Sequence, residues 1–143
     1  MAYCTNSDIQ SEFKNLTYTS GGITSAEVDG FIEQEDAFID GIIGRKYVVP
    51  ATGTYTLRIL KTISIQLVVS RIKRILAVKT GRPELDQDSS SNLFAMAKTK
   101  LDDIAEGRLI LSDATLAEAN DGVDSFAVSD DIKHVVKRDE QQW

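Results

Sequence analysis

The sequence predicts an all-α protein: a small bundle of about four helices with a long central helix, followed by an extended C-terminal arm. Three observations carry that expectation. Apolar residues recur at helical spacing in four segments, most of them opened by a capping signal or closed by a glycine. The segment from Leu57 to Val69 is apolar on every side, so it must be covered on every side, and that cover can include another subunit. Beyond Ser112 large apolar residues thin out and acidic ones accumulate, a composition that does not build a second core. The chain of 143 residues therefore divides into a helical domain, 1–111, and an arm, 112–143.

A short first helix begins near Thr5, where Thr5 and Asp8 approximate a capping box and Ile9, Phe13 and Leu16 supply an apolar side. The second helix opens at Thr24. Thr24 and Glu27 fit the capping box, Ile23 can staple onto Val28, and Gly44 is a natural stop. Its apolar stripe runs through Val28, Phe31, Ile32, Phe38, Ile39, Ile42 and Ile43. Asp29, Glu33, Asp36 and Asp40 fall together beside that stripe, and Glu35 lands within it. A carboxylate there must be paired, protonated or at the rim. The expected partner is a base of Arg45, Lys46, Arg58 or Lys61, or its copy in a neighbour. Tyr47–Pro50 should be extended, because Val49 precedes a proline.

The third helix runs from about Thr56 to Thr80 and ends at Gly81, with Pro83 beyond. After a polar loop at 88–91, a fourth helix carries Leu93, Ala97, Leu101 and Ile104 and stops at Gly107. Leu109–Leu111 reads as a short strand. In the arm, Phe126 and Val128 alternate as in a strand laid on an edge, and Trp143 reads either as a free end or as an anchor.

Charge is segregated. Residues 24–44 hold six acidic side chains and no basic one, and residues 45–82 hold nine basic side chains and no acidic one. Opposite fields of this kind steer association and fix register. The acidic face reads as solubilisation or as a docking surface. The basic run Arg71, Lys73, Arg74, Lys79 and Arg82 has three readings: a solvated helix end, a docking surface for an acidic neighbour, or phosphate contact with DNA. The net charge of −6 argues against generic nucleic-acid binding.

Catalytic signatures are missing. No phosphate-binding glycine loop, nucleophile elbow or paired-histidine helix occurs. The single histidine, His134, lies in the arm, and the single cysteine, Cys4, has no base near it in sequence. The run from Asp86 imitates a calcium loop but has Ser91 and Ala97 where glycine and glutamate are required. The expectation is a non-enzyme with no cofactor, no metal and no membrane span. The opening residues lack a signal-peptide pattern, which predicts assembly in a reducing cytoplasm.

The stretch Ile39-Asp40-Gly41-Ile42-Ile43-Gly44-Arg45-Lys46-Tyr47-Val48-Val49-Pro50 resembles the signature of small head–tail connector proteins of tailed bacteriophages, with Asp40, Gly41, Lys46, Tyr47 and Pro50 at its key positions. The opening Ala2-Tyr3, the greasy helix after the proline, Arg82-Pro83 and the ending Asp103–Leu109 are similar too, so the resemblance covers roughly residues 1–111. It implies an adaptor or head-completion protein of the virion. Such proteins form rings, usually dodecameric, below the portal protein, and meet a stopper or tail-completion protein around the passing double-stranded DNA. The runner-up is a small DNA-binding or packaging-accessory module using residues 71–82. A plain helical regulatory module without a ring is a third reading. On the connector reading, Asp29, Glu33, Asp36 and Asp40 meet Arg71, Lys73 and Arg74 of a neighbour, while Phe126, Val128 and Trp143 contact a neighbour or the portal.

Overall fold

Capping chemistry starts the first two helices where expected. The computed structural model describes residues 2–13, 18–81 and 90–117. Thr5 caps α1 (Asn6–Glu12) and Thr24 caps α2 (Ser25–Ile43), each through a reciprocal capping box with Asp8 and Glu27 respectively. Ile23 and Val28 are both buried in one apolar cluster, as a hydrophobic staple requires. A 3-10 turn, Tyr18–Gly21, lies between these helices. The remaining helices are α3 (Thr54–Thr80) and α4 (Ser90–Glu106). Gly81 and Gly107 follow them with φ of 63° and 80°, in the left-handed region that glycine enters without steric cost. The body is thus all-α, with four α-helices among the described residues.

The long α3 is the axis, touching α1, α2, α4 and the 3-10 turn. Its all-round apolar pattern is largely covered by its own chain. One half of the core joins Ile39 and Ile43 of α2, Leu60, Ile63 and Leu67 of α3, and Ala97, Leu101 and Ile104 of α4. The other half joins Ile9 of α1, Val28 and Ile32 of α2, and Val68, Val69, Ile72 and Leu76 of α3. Leu57, Ile59 and Ile65 pack partly buried against these clusters. Fully burying side chains of this size contributes roughly 1.5–3 kcal/mol each, and this burial is the main term that holds the bundle together.

Two expectations need correction. Leu109–Leu111 is not a strand, because its amides are already engaged: Leu109 N–H donates to the Asp103 carbonyl at 2.9 Å and Leu111 N–H donates to the Tyr47 hydroxyl at 3.2 Å. The extended pairing lies further on, at an isolated antiparallel bridge between Tyr47 and Leu116. Val48 N–H donates to the Thr115 carbonyl at 2.8 Å, and Ala117 N–H to the Lys46 carbonyl at 2.9 Å.

The first residues assigned to the arm, 112–117, are therefore held by the body. Asp113 holds them at a second point. Gly53, the N-cap of α3, offers no side-chain cap. The Asp113 carboxylate takes over, accepting from Tyr55 N–H at 2.6 Å and from Thr56 N–H and hydroxyl at 2.9 and 2.6 Å. Orphan donors at a helix start favour an anion there, and the Thr56 hydroxyl bond leads the causes that lower the Asp113 pKa. A side chain at position 53 would collide with Asp113, so the cap needs glycine at this close approach.

Candidate interaction surface

The signature segment is a structural clasp. Asp40, one turn before the end of α2, accepts from the Tyr3 hydroxyl. That hydroxyl in turn accepts from Ala51 N–H at 3.3 Å, just past the cis Val49–Pro50 peptide. Burial, together with the bond to Asp40, pushes the Tyr3 hydroxyl pKa up. Tyr47 is 1% exposed and ties the α2–α3 connection to Leu111. Lys46 lies 6.0 Å from the Tyr47 ring and supplies the carbonyl for Ala117. Asp40, Lys46, Tyr47 and the chain after Pro50 thus bind three distant stretches: the N-terminus, the start of α3 and the segment after α4. Gly41 is exposed, and among the described residues nothing lies within 4 Å of where a side chain would begin or explains a glycine there.

The four acidic residues of α2 do not act alike. Asp29 and Glu33 are exposed, with Asp29 accepting from the Asn6 amide at 2.9 Å. Asp40 is engaged by Tyr3. Asp36 is only 5% exposed and leaves the docking face altogether. Its carboxylate accepts from Tyr3 N–H at 2.8 Å and from the Ser64 hydroxyl at 2.6 Å, and Ser64 lies 3.2 Å from the Cys4 sulfur. Burial raises the Asp36 pKa against the lowering effect of these bonds, and burial also raises that of Cys4. The cause is geometric: the N-terminal segment passes over this flank of α2 and closes it. Two shallow clefts of about 300 and about 330 Å³ flank Ala2 beside Glu33.

The basic residues scatter likewise. Arg71 faces α2, where it meets Glu35 at 3.1 Å and lies 4.4 Å from the Phe31 ring. Glu35 therefore finds its cation on α3 but not among Arg45, Lys46, Arg58 and Lys61. The antiparallel run of α2 and α3 sets Glu35 opposite Arg71; Lys61 lies ten residues, about 15 Å, further along α3 and pairs with Asp8 at 2.8 Å. Lys73 is partly buried and sits nearly half a helical turn from Arg71, whereas Arg74 is exposed. Lys79 donates to the Gly22 carbonyl at 3.1 Å. Arg71, Lys73 and Arg74 thus form no single strip. Arg82, Phe126, Val128, His134 and Trp143 lie outside the described residues.

Sequence reasoning missed Asp113 and Ser64, whose partners lie 57 and 28 residues away. Among the described residues, no group of three or more His, Cys, Asp and Glu side chains is placed to hold a metal ion, and no helix is long and apolar enough to cross a membrane.

A helical body built on one central helix and clasped by its own N-terminus defines a small all-α module. The chain belongs to the bacteriophage protein family described as bacteriophage Mu Gp36, whose model matches residues 3–129. That match begins at Tyr3, the residue that closes the clasp. No curated protein and no solved structure matches the chain.

Proposed function

We propose that this protein is a structural, non-catalytic connector of the virion. It forms a ring of twelve copies that docks below the portal protein and joins or closes the DNA-filled head to the tail. The observation that carries the reading is family membership in a bacteriophage family over residues 3–129, together with the clasp built from the connector-like signature Asp40, Lys46, Tyr47 and Pro50. The outward faces support it. Asp29 and Glu33 give α2 an acidic, exposed flank, and Arg74 exposes positive charge on α3. A ring uses heterologous contacts in which different faces of successive subunits meet. The C-terminal end, including Trp143, supplies contact to a neighbour or to the portal, and the stopper or tail-completion protein binds the opposite rim.

The alternative, DNA binding through residues 71–82, gains no support from the geometry, since Arg71 is taken by Glu35 and Phe31 and Lys79 by Gly22. The test is attachment of the purified protein to tailless heads, run beside a DNA titration in salt. The connector reading expects stoichiometric attachment at the portal vertex. It fails if the protein ignores heads and binds DNA with an affinity that falls steeply with salt.

A further inference from the structure

The α2–α3 connection, the start of α3 and the stretch after α4 meet at one end of the bundle. That end is apolar on its outside. Of nine large apolar side chains exposed among the described residues, five gather here: Val48, Val49, Tyr55, Ile110 and Leu116. Tyr55 is 65% exposed and Ile110 69%. Monomeric proteins rarely leave such groups together without a binding role.

Charge decides what binds there. Arg45 and Arg58 are exposed at the same end, with Arg58 lying 5.9 Å from the Tyr55 ring. Neither makes an ion pair among the described residues, whereas Arg108, two residues before Ile110, is answered by Asp103 and Glu106. Two such ends set face to face would oppose these cations to their own copies, and like charges across a contact are unfavourable. The complementary surface must be acidic.

The subunit itself carries one. Asp29 and Glu33 stand exposed on α2, and neither is paired with a cation among the described residues. Both shallow clefts beside Ala2 are lined by Glu33. At about 100° per residue, Ala26, Gly30, Ala37 and Gly41 fall within about 60° of arc next to Glu33. Nothing lies within 4 Å of where a side chain would begin at Gly30 or Gly41. The acidic edge is therefore bordered by a low strip on which an apolar end can approach the helix backbone. Asp29 and Glu33 lie fourteen and ten residues before Ile43, about 21 and 15 Å back along α2. The two surfaces do not overlap, so one copy can use both at once.

We propose that the Val48–Tyr55–Ile110 end of one subunit docks, through its apolar side chains and through Arg45 and Arg58, on the Asp29–Glu33 flank of α2 in a second copy. Heterologous contacts of this kind repeat from copy to copy. The inference rests on the connector reading and sharpens it: the cations that meet the acidic flank are those around the α2–α3 connection, not Arg74.

The test uses the full chain. Tyr55→p-benzoylphenylalanine puts a photoreactive group on the apolar end and keeps the cap, because Asp113 accepts from the Tyr55 backbone. This unlabelled protein is mixed with an equal amount of 15N-labelled parent and irradiated. Links should join the two isotopic chains and land on α2 between Ser25 and Asp40. Asp29→Lys with Glu33→Lys, carried by both proteins, should lower the yield about tenfold or more, as should Arg45→Glu with Arg58→Glu. All four changes together should restore it, and Arg74→Glu should leave it unchanged. Links confined to one isotopic chain would overturn the proposal in favour of a cover from the chain's own remaining residues. Links from apolar end to apolar end, no link between copies, a yield indifferent to both reversals, or an equal loss with Arg74→Glu would overturn it outright. A ring on heads without these links leaves the connector reading standing and removes this contact; these links in a protein that ignores heads do the reverse.

Discussion

At the scale of single residues, Asp36 shows how a buried carboxylate is kept. It has two donors, Tyr3 N–H and the Ser64 hydroxyl, and burial is the leading influence on its pKa. An amide can replace it: one oxygen accepts from Tyr3, the amide nitrogen donates to Ser64, and Ser64 turns its proton to Cys4. Asp36→Asn should therefore fold with stability near that of the parent at neutral pH. Asp36→Ala strands two buried groups and should cost about 1–3 kcal/mol. The pH sign follows from linkage. A carboxyl whose folded pKa is raised is held protonated by the folded state where the unfolded chain has lost its proton, so its unfavourable contribution is relieved as pH falls through the folded value. Urea melts from neutral to mildly acidic pH should show the parent gaining relative to Asp36→Asn. A constant difference would refute the assignment.

Glu35 is a milder case. Its side chain is 18% exposed and that of Arg71 36%, so the pair is partly solvated. Glu35→Gln should cost only about 0–1 kcal/mol, far below a fully buried pair. Denaturant midpoints of the variant and parent would settle it.

At the scale of elements, the helices were legible because their signals are local. Thr5, Thr24, Gly81 and Gly107 mark termini within a few residues of themselves, and the apolar spacing of α2 and α4 reports which faces are buried. What could not be read is non-local. Asp36 sits at the edge of the α2 stripe, and only the path of the N-terminal segment decides that it is covered. Asp113 resembles an arm residue until Gly53, 60 positions earlier in the chain, brings an uncapped helix start beside it. Glu35 announced that it needed a cation, but the register of α2 against α3 chose Arg71.

Asp113→Ala should lower the melting temperature and free residues 112–117, seen as faster amide exchange at Tyr55 and Thr56. The Asp113 pKa is lowered in the folded state, so the bond is fully present above the ordinary carboxylate range and is lost as pH falls through the folded value. On α2, the proposed assembly face reduces to the exposed Asp29 and Glu33. Their joint change to lysine should leave the helical signal and melting curve near the parent's while weakening attachment to heads; unimpaired attachment would leave that flank a solubilising face. Adding Asp36 would confound the test by placing a lysine in the core.

At the scale of the whole molecule, the clasp ties distant stretches of a small bundle together. Tyr3, Asp40, Tyr47 and Asp113 lock the N-terminus, the α2–α3 connection and the segment after α4 to one end of α3. A subunit tied together in this way suits the proposed assembly by repeated identical contacts, in which every copy meets the next with the same surfaces. On the proposed function, these surfaces would build a ring at the head–tail vertex. Electron cryomicroscopy of heads bearing this protein tests it most directly. The expected result is a closed ring of density beneath the portal, into which the helical body fits with Asp29 and Glu33 turned toward the next subunit. Density dispersed over the capsid, or a portal vertex identical with and without the protein, would contradict it.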